Sequence, residues 1–265
     1  MMTQNKDCEA ISRLLSIMDE LRQKCPWDKK QTIESLRYLT IEETYELSDA
    51  ILEQNPTEIK KELGDILLHI VFYSQIAKEN GDFDFADVTN AICEKLILRH
   101  PHVFGEVKVN DAEDVKVNWE KIKLSEGRKS VLGGVPKSLP AMVKAFRIQE
   151  KVHGVNFDWE NSAQVLAKVK EEINEFEDEV KQNNHQKMES EFGDILFSLI
   201  NYARFLDINP EDALEKTNRK FIERFQQMEN IIDENKQSLS QMTLQEMDVY
   251  WEKAKEVLKN NHENT

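Results

Sequence analysis

Residues 62–77 read ELGDILLHIVFYSQIA. Within them Leu63, Ile66, Leu67, Ile70 and Val71 recur at i, i+3, i+4, i+7 and i+8, the apolar stripe of an α-helix. The nearly unbroken apolar run from Ile66 to Tyr73 is also what a buried strand produces, so length decides. No Gly or Pro interrupts the chain from Asp65 to Asn80, well beyond an ordinary strand, and the spacing predicts one long buried helix. Asn80-Gly81-Asp82 then stops it, because Gly takes the left-handed turn that ends a helix without steric cost.

The same stretch is written twice. EFGDIL at 191–196 repeats ELGDIL at 62–67 with an offset of 129, and EEINEF at 171–176 repeats EETYEL at 42–47 with the same offset. Further on, Lys95 and Arg99 in KLILR match Lys220 and Arg224 in KFIER, and VNWEKIK at 117–123 matches VYWEKAK at 249–255. Self-similarity at a fixed spacing marks a duplicated unit. Between the copies, SEGRKSVLGGVPKSLP at 125–140 holds three of the eight glycines and two of the six prolines, a linker composition. The expected division is a first domain over 1–124, a linker over 125–140 and a second domain over 141–265. Asn209-Pro210-Glu211-Asp212 is a helix start, with a capping Asn, Pro in the first turn and acids beside it. Each half reads as about four helices. The expected fold is all-α, a tandem repeat of two four-helix-bundle domains.

Composition narrows the function. Eight Gly and six Pro in 265 residues are too few turns for a β-sandwich or barrel. With 35 Lys+Arg against 50 Asp+Glu the net charge is −15, which argues against gripping a nucleic-acid backbone. A small anion needs only a local group of cations and stays open. Cys8, Cys25 and Cys93 show no C-x-x-C spacing and read as free thiols of a reducing compartment. The first seven residues hold no apolar segment and no run approaches 18 apolar residues, so the expectation is a cytoplasmic protein with no membrane association.

Residues three apart on a helix share a face. Glu43 and Glu46 therefore point the same way, as do Glu62 and Asp65, Glu172 and Glu175, and Glu191 and Asp194. In each half 15 residues, 47–61 or 176–190, separate the two pairs, enough to finish one helix, turn and start the next antiparallel to it. Facing pairs then make a cage of four carboxylates. Such a cage repels itself, and a divalent cation resolves the conflict. All-oxygen ligation without His or Cys points to Mg²⁺, with Mn²⁺ as a substitute, rather than Zn²⁺ or iron. Mg²⁺ held in this way completes its shell with water and phosphate oxygens, which points to a phosphate ester or anhydride as substrate. Either motif alone is weak, since with 50 acids in 265 residues acid-acid-x-x-acid arises by chance roughly twice. Joint recurrence at one offset, glycine included, strengthens it. Gly64 and Gly193 each cost a helix about 1 kcal/mol relative to Ala, and close backbone approach is the expected reason for keeping them.

At these residues the chain resembles the MazG family of nucleoside triphosphate pyrophosphohydrolases. The resemblance runs through CPWDKKQT (25–32), LTIEETYEL (39–47), ELGDILLHIVFYSQIA (62–77), LRHPHVFG (98–105), LGGVPKSLPAMVKAFRIQEK (132–151), GVNFDW (154–159), EEINE (171–175) and EFGDILF (191–197), nearly the whole length. It implies two MazG-like helical domains and hydrolysis of nucleoside triphosphates between the α and β phosphates, giving monophosphate and pyrophosphate. It implies Mg²⁺ held by Glu172, Glu175, Glu191 and Asp194, which are also the catalytic carboxylates, with Glu43, Glu46, Glu62 and Asp65 as the equivalent metal set. Carried over by motif, Lys168, Lys187, Lys220 and Arg224 face the phosphates and Trp251 offers a stacking surface for the base. Trp27, Asp28, Lys95 and Arg99 form a secondary substrate-binding set, although a Trp anchoring a loop explains Trp27 equally well. The family's habit of pairing implies a homodimer in which a second copy completes a site.

Both halves keep four acids. At the offset of 129, however, Lys168 falls opposite Leu39 and Lys187 opposite Glu58, so the C-terminal half is the expected main catalytic unit. The competing reading is a helical binding or regulatory module of the nucleotide-stress response with reduced catalysis. Retention of the acids together with Lys168, Lys220 and Arg224 argues against it. A di-iron bundle lacks the required histidines.

Overall fold

Asn55 and Pro56 open the long helix forecast around residues 62–77. The Asn55 side-chain oxygen accepts from the Thr57 and Glu58 N–H groups at 3.2 and 3.4 Å, and Pro56 fixes the first turn. Gly81, at φ +80°, ends it. Asn209 caps a later helix in the same way, accepting from Glu211 and Asp212 at 3.0 and 3.3 Å.

The computed structural model describes residues 2–109 and 130–263, together with 111, 114, 115, 118, 119 and 122. Among them no strand occurs. The architecture is all-α, with α1 (Met2–Lys24), α2 (Ile33–Leu52), α3 (Pro56–Asn80), α4 (Phe85–Arg99) and a one-turn α5 (Pro101–Phe104), followed by α6 (Ala141–His153), α7 (Ser162–Gln182), α8 (His185–Phe205), α9 (Pro210–Glu234) and α10 (Leu244–Glu263). None of the described helices is long and apolar enough to cross a membrane. The chain divides into two compact units, Met1–Val109 and Asn110–Thr265. Most of the Trp119 helix expected at 117–123, and the start of the linker at 125–129, lie outside the described residues. From residue 130 the linker forms a short turn of 3-10 helix, Val131–Gly134, capped by the Ser130 hydroxyl.

Each unit is organised around a helical hairpin, α2–α3 in the first and α7–α8 in the second. Three residues (53–55) join the first pair and two (183–184) the second, so the paired helices run antiparallel. Thr32 and Ser35 cap the start of α2 reciprocally, and Asn183, in the left-handed region at φ +55°, closes α7. The Thr40 and Tyr73 hydroxyls, 2.6 Å apart, join α2 to α3. Met18, Leu36, Val71, Phe72 and Ile76 form the core of the first unit, and Met228, Ile232 and Ala254 form a core between α9 and α10.

Two expectations are corrected. The predicted stripe on α3 is only partly buried: Val71 is inside, while Leu63 and Ile70 are exposed, and on α8 Phe192, Leu196 and Leu199 are exposed although Ile200 is buried. Both helices are apolar around much of their girth, and each unit covers one side of them. The expected close approach at the helical glycines is also absent among the described residues. A Cβ added at Gly64 or Gly193 would meet no atom within 4 Å.

Arg22 ties the α1–α2 loop to α3. Its guanidinium forms a two-point pair with Glu79 and donates to the Asp28 and Gln31 carbonyls. This bonding holds the Glu79 carboxyl below its usual range, through the Arg22 hydrogen bond first. Arg22→Met removes the charged donor that two carbonyls and a carboxylate share, and is expected to lower stability by about 1–3 kcal/mol in urea denaturation. Because the Glu79 pKa is depressed, its share of that loss is present near neutrality and disappears as pH falls through the depressed value.

Candidate active site

The turns place the acids opposite one another. In the first unit Glu43 and Glu46 of α2 and Glu62 of α3 bring carboxylate oxygens within 4.8 Å of each other, and in the second Glu172 and Glu175 of α7 and Glu191 of α8 do the same. Asp65 and Asp194 stand one turn beyond Glu62 and Glu191 and lie outside these triads. Their charges still reach in, Asp65 acting on Glu43 and Asp194 on Glu191. Burial, and then the charges of Asp65, Glu46 and Glu62, push the Glu43 carboxyl above its usual range. Burial, and then Glu175, Asp194, Glu172 and Glu179, push Glu191 in the same direction.

Glu62 is 3% exposed and Glu172 6%. Glu62 Oε2 has no hydrogen-bond partner, an arrangement that normally costs about 1–3 kcal/mol or more for a charged group. Three convergent carboxylates, one of them on a buried side chain, suit a hard divalent cation, and in the first unit that buried side chain has an oxygen with no partner.

The lysines differ between units. Lys168 Nζ lies 2.7 Å from Glu172 Oε1 and 2.8 Å from Glu171 Oε1, and its ammonium is held well above the ordinary range by the Glu171 and then the Glu172 hydrogen bond. Lys187 Nζ lies 3.1 Å from Glu179 Oε1. In the first unit those lysine positions are Leu39 and Glu58, and Lys61 Nζ instead meets Glu62 Oε1 at 2.8 Å. Glu179 escaped the sequence reading although it follows Glu172 and Glu175 at i+7 and i+4. The repeat sets Ala50 opposite it, so matching the halves passes over it. Lys61 escaped because adjacent helix residues are not expected to share a face.

Other predicted residues lie on elements that carry none of the triad acids. Lys220 is exposed and Arg224 half-buried on α9, while Lys95 is exposed and Arg99 buried on α4. Trp251 packs half-buried on the Met228–Ile232–Ala254 core, its ring centroid 5.2 Å from that of Phe221. Trp27 is exposed beside Asp28, in the loop that Arg22 fastens to Glu79. Glu79 lies 17 residues past Glu62 on α3, about 25 Å along the helix axis, so this loop sits at the other end of the hairpin from its own unit's triad.

Fold and site together define an all-α protein whose two helical hairpins each carry an all-oxygen group able to hold a cation. The MazG nucleotide pyrophosphohydrolase domain matches residues 31–104 and 160–228, which include every acid of both triads. The nucleoside triphosphate pyrophosphohydrolase/pyrophosphatase MazG of Thermotoga maritima is 45% identical over 92% of this chain and 95% of its own. The nucleoside triphosphate pyrophosphohydrolase of Escherichia coli K12 is 41% identical over 92% of this chain and 97% of its own. The chain belongs to the MazG nucleotide pyrophosphohydrolase family and carries the family's domain in two copies.

The raised Glu43 pKa gives a test with a fixed sign. In chelator near neutrality Glu43→Gln should melt above wild type, because it removes a charge that folding disfavours. The gap should begin to narrow as pH falls through the raised pKa and close below the ordinary carboxylate value, where Glu43 is neutral in both folded and unfolded chains. If Glu43 holds a divalent cation, added Mg²⁺ should reverse the order, because a ligand that binds only the folded state stabilises it. Thermal melts at several pH values, with and without Mg²⁺, read all three.

Proposed function

We propose that the second unit is the main catalytic half of a Mg²⁺-dependent enzyme that cleaves nucleoside triphosphates between the α and β phosphates, releasing pyrophosphate. Family membership makes the chain a hydrolase of nucleoside triphosphate anhydride bonds. The observation that carries the division of labour is the company of its triad: Lys168 and Lys187 flank the second, where Leu39 and Glu58 stand in the first.

Glu172, Glu175, Glu191 and Asp194 hold Mg²⁺ or Mn²⁺ in this reading. When bound, the ion neutralises phosphate charge and acidifies water. A carboxylate of the Glu172, Glu175 and Glu191 group takes the proton of the attacking water. Lys168 and Lys187 exchange glutamate for phosphate oxygens and, with Lys220 and Arg224, offset the charge that develops on the leaving pyrophosphate. The first unit keeps a cation-binding triad with weaker turnover.

A second copy completes the assembly in the same reading. Phe192, Leu196 and Leu199 form an exposed apolar stripe on the helix that carries Glu191, and Gly193 leaves open space beside it. Leu63, Ile70 and Gly64 repeat the arrangement on α3.

Glu172→Ala and Asp194→Asn should each lower pyrophosphate release in Mg²⁺ by at least about 100-fold, with products identified chromatographically. Single phosphates from the wild type, or full rate in either variant, would overturn the reaction. Glu43→Ala should lose far less than Glu172→Ala, and equal losses would overturn the division of labour. Sedimentation at a series of concentrations tests the dimer, and a wild type that stays monomeric throughout rejects it.

A further inference from the structure

Two lysines bracket the second triad, and the glutamate that holds one of them has no part in the reaction described so far. Glu179 follows Glu175 by one turn on α7, and Lys187 precedes Glu191 by one turn on α8, so their contact is the next rung of the same hairpin. The two ends of that contact differ. Glu179 is 13% exposed and Lys187 60%, an ammonium in water on an anchored carboxylate. Glu179 Oε2 is buried with no hydrogen-bond partner, so Lys187 is the charged donor that this side chain meets. In the first unit both positions change together, to Ala50 and Glu58, which leaves neither half of the pair behind.

We propose that Glu179 is a positioning residue: it holds Lys187 in line with the triad, ready to meet the far end of a triphosphate whose near end is met by Lys168. The proposal rests on the reading that Lys187 faces phosphate. A lysine on a free four-carbon stem samples many rotamers and must be immobilised when the anion arrives. Tethering removes that search in advance, which acts on substrate binding and leaves the chemical step to the triad.

The test is a double-mutant cycle on the full chain, with KM and kcat for a nucleoside triphosphate at saturating Mg²⁺ and a separate Mg²⁺ titration. Lys187→Met should raise KM, and Glu179→Gln should raise it by roughly five- to tenfold with kcat within about twofold. The double variant should be no worse than Lys187→Met, because Glu179 acts through the lysine. If Lys187→Met changes KM and Glu179→Gln does not, the positioning role fails while the phosphate role of Lys187 stands. If Lys187→Met leaves KM unchanged, the positioning role fails, and if kcat is unchanged as well, the phosphate role of Lys187 fails with it. Additive losses, or a higher Mg²⁺ requirement in Glu179→Gln, would make Glu179 an independent ligand and overturn the proposal. Should the Gln variant not fold, Glu179→Ala, which copies the residue on the matching rung of the first unit, takes its place in the cycle.

Discussion

Carboxylates that repel one another are held together across a helical hairpin, and one of each group is almost wholly out of water. Glu62 and Glu172 occupy that inner position, and no local preference of the chain favours it. The cost is met by the rest of each hairpin. Side-chain caps at Thr32, Asn55, Asn161 and Asn184 fix where the helices begin, each contributing about 1 kcal/mol. In the first unit the apolar contacts of Val71, Phe72 and Ile76 keep α3 in place, and Thr40 and Tyr73 join it to α2. One lysine in each unit then partly neutralises the buried acid.

That lysine comes from a different helix in the two copies. Lys61 reaches Glu62 from the neighbouring position on α3, whereas Lys168 reaches Glu172 from one turn earlier on α7. The acid scaffold is thus common to both, and the cationic part is individual. Metal-holding geometry depends on the scaffold. Recognition of a long anion depends on the cations, so a duplicated domain can change its substrate behaviour without disturbing its ligand set.

Much of this was legible in the sequence because it rests on spacing. The i, i+3 separation of the acids and the 15 residues between pairs translate directly into a shared face and an antiparallel return. Gly81 and Asn209-Pro210 act through local backbone preferences and stop and start helices where they were expected to. What escaped depends on contacts distant in sequence or on differences between the copies. An apolar helix such as α3 does not say which of its sides the rest of the chain will cover, so the exposure of Leu63 and Ile70 was unreadable. The Trp27 loop adjoins α2 in sequence, yet a pair 57 residues apart, Arg22 and Glu79, fastens it to the far end of α3. Glu179 was missed because comparing the repeats rewards only what they share.

Gly64 and Gly193 each forgo about 1 kcal/mol of helix stability, and each has empty space where a methyl group would fit. Among the described residues nothing fills that space, and an alanine at either place would strengthen its helix. The two positions therefore separate two quantities that an ordinary melting curve merges, the strength of the single chain and the fit of whatever packs against it. An improvement in the first can be a loss in the second, so consensus stabilisation of this surface should be judged by assembly and turnover as well as by melting temperature.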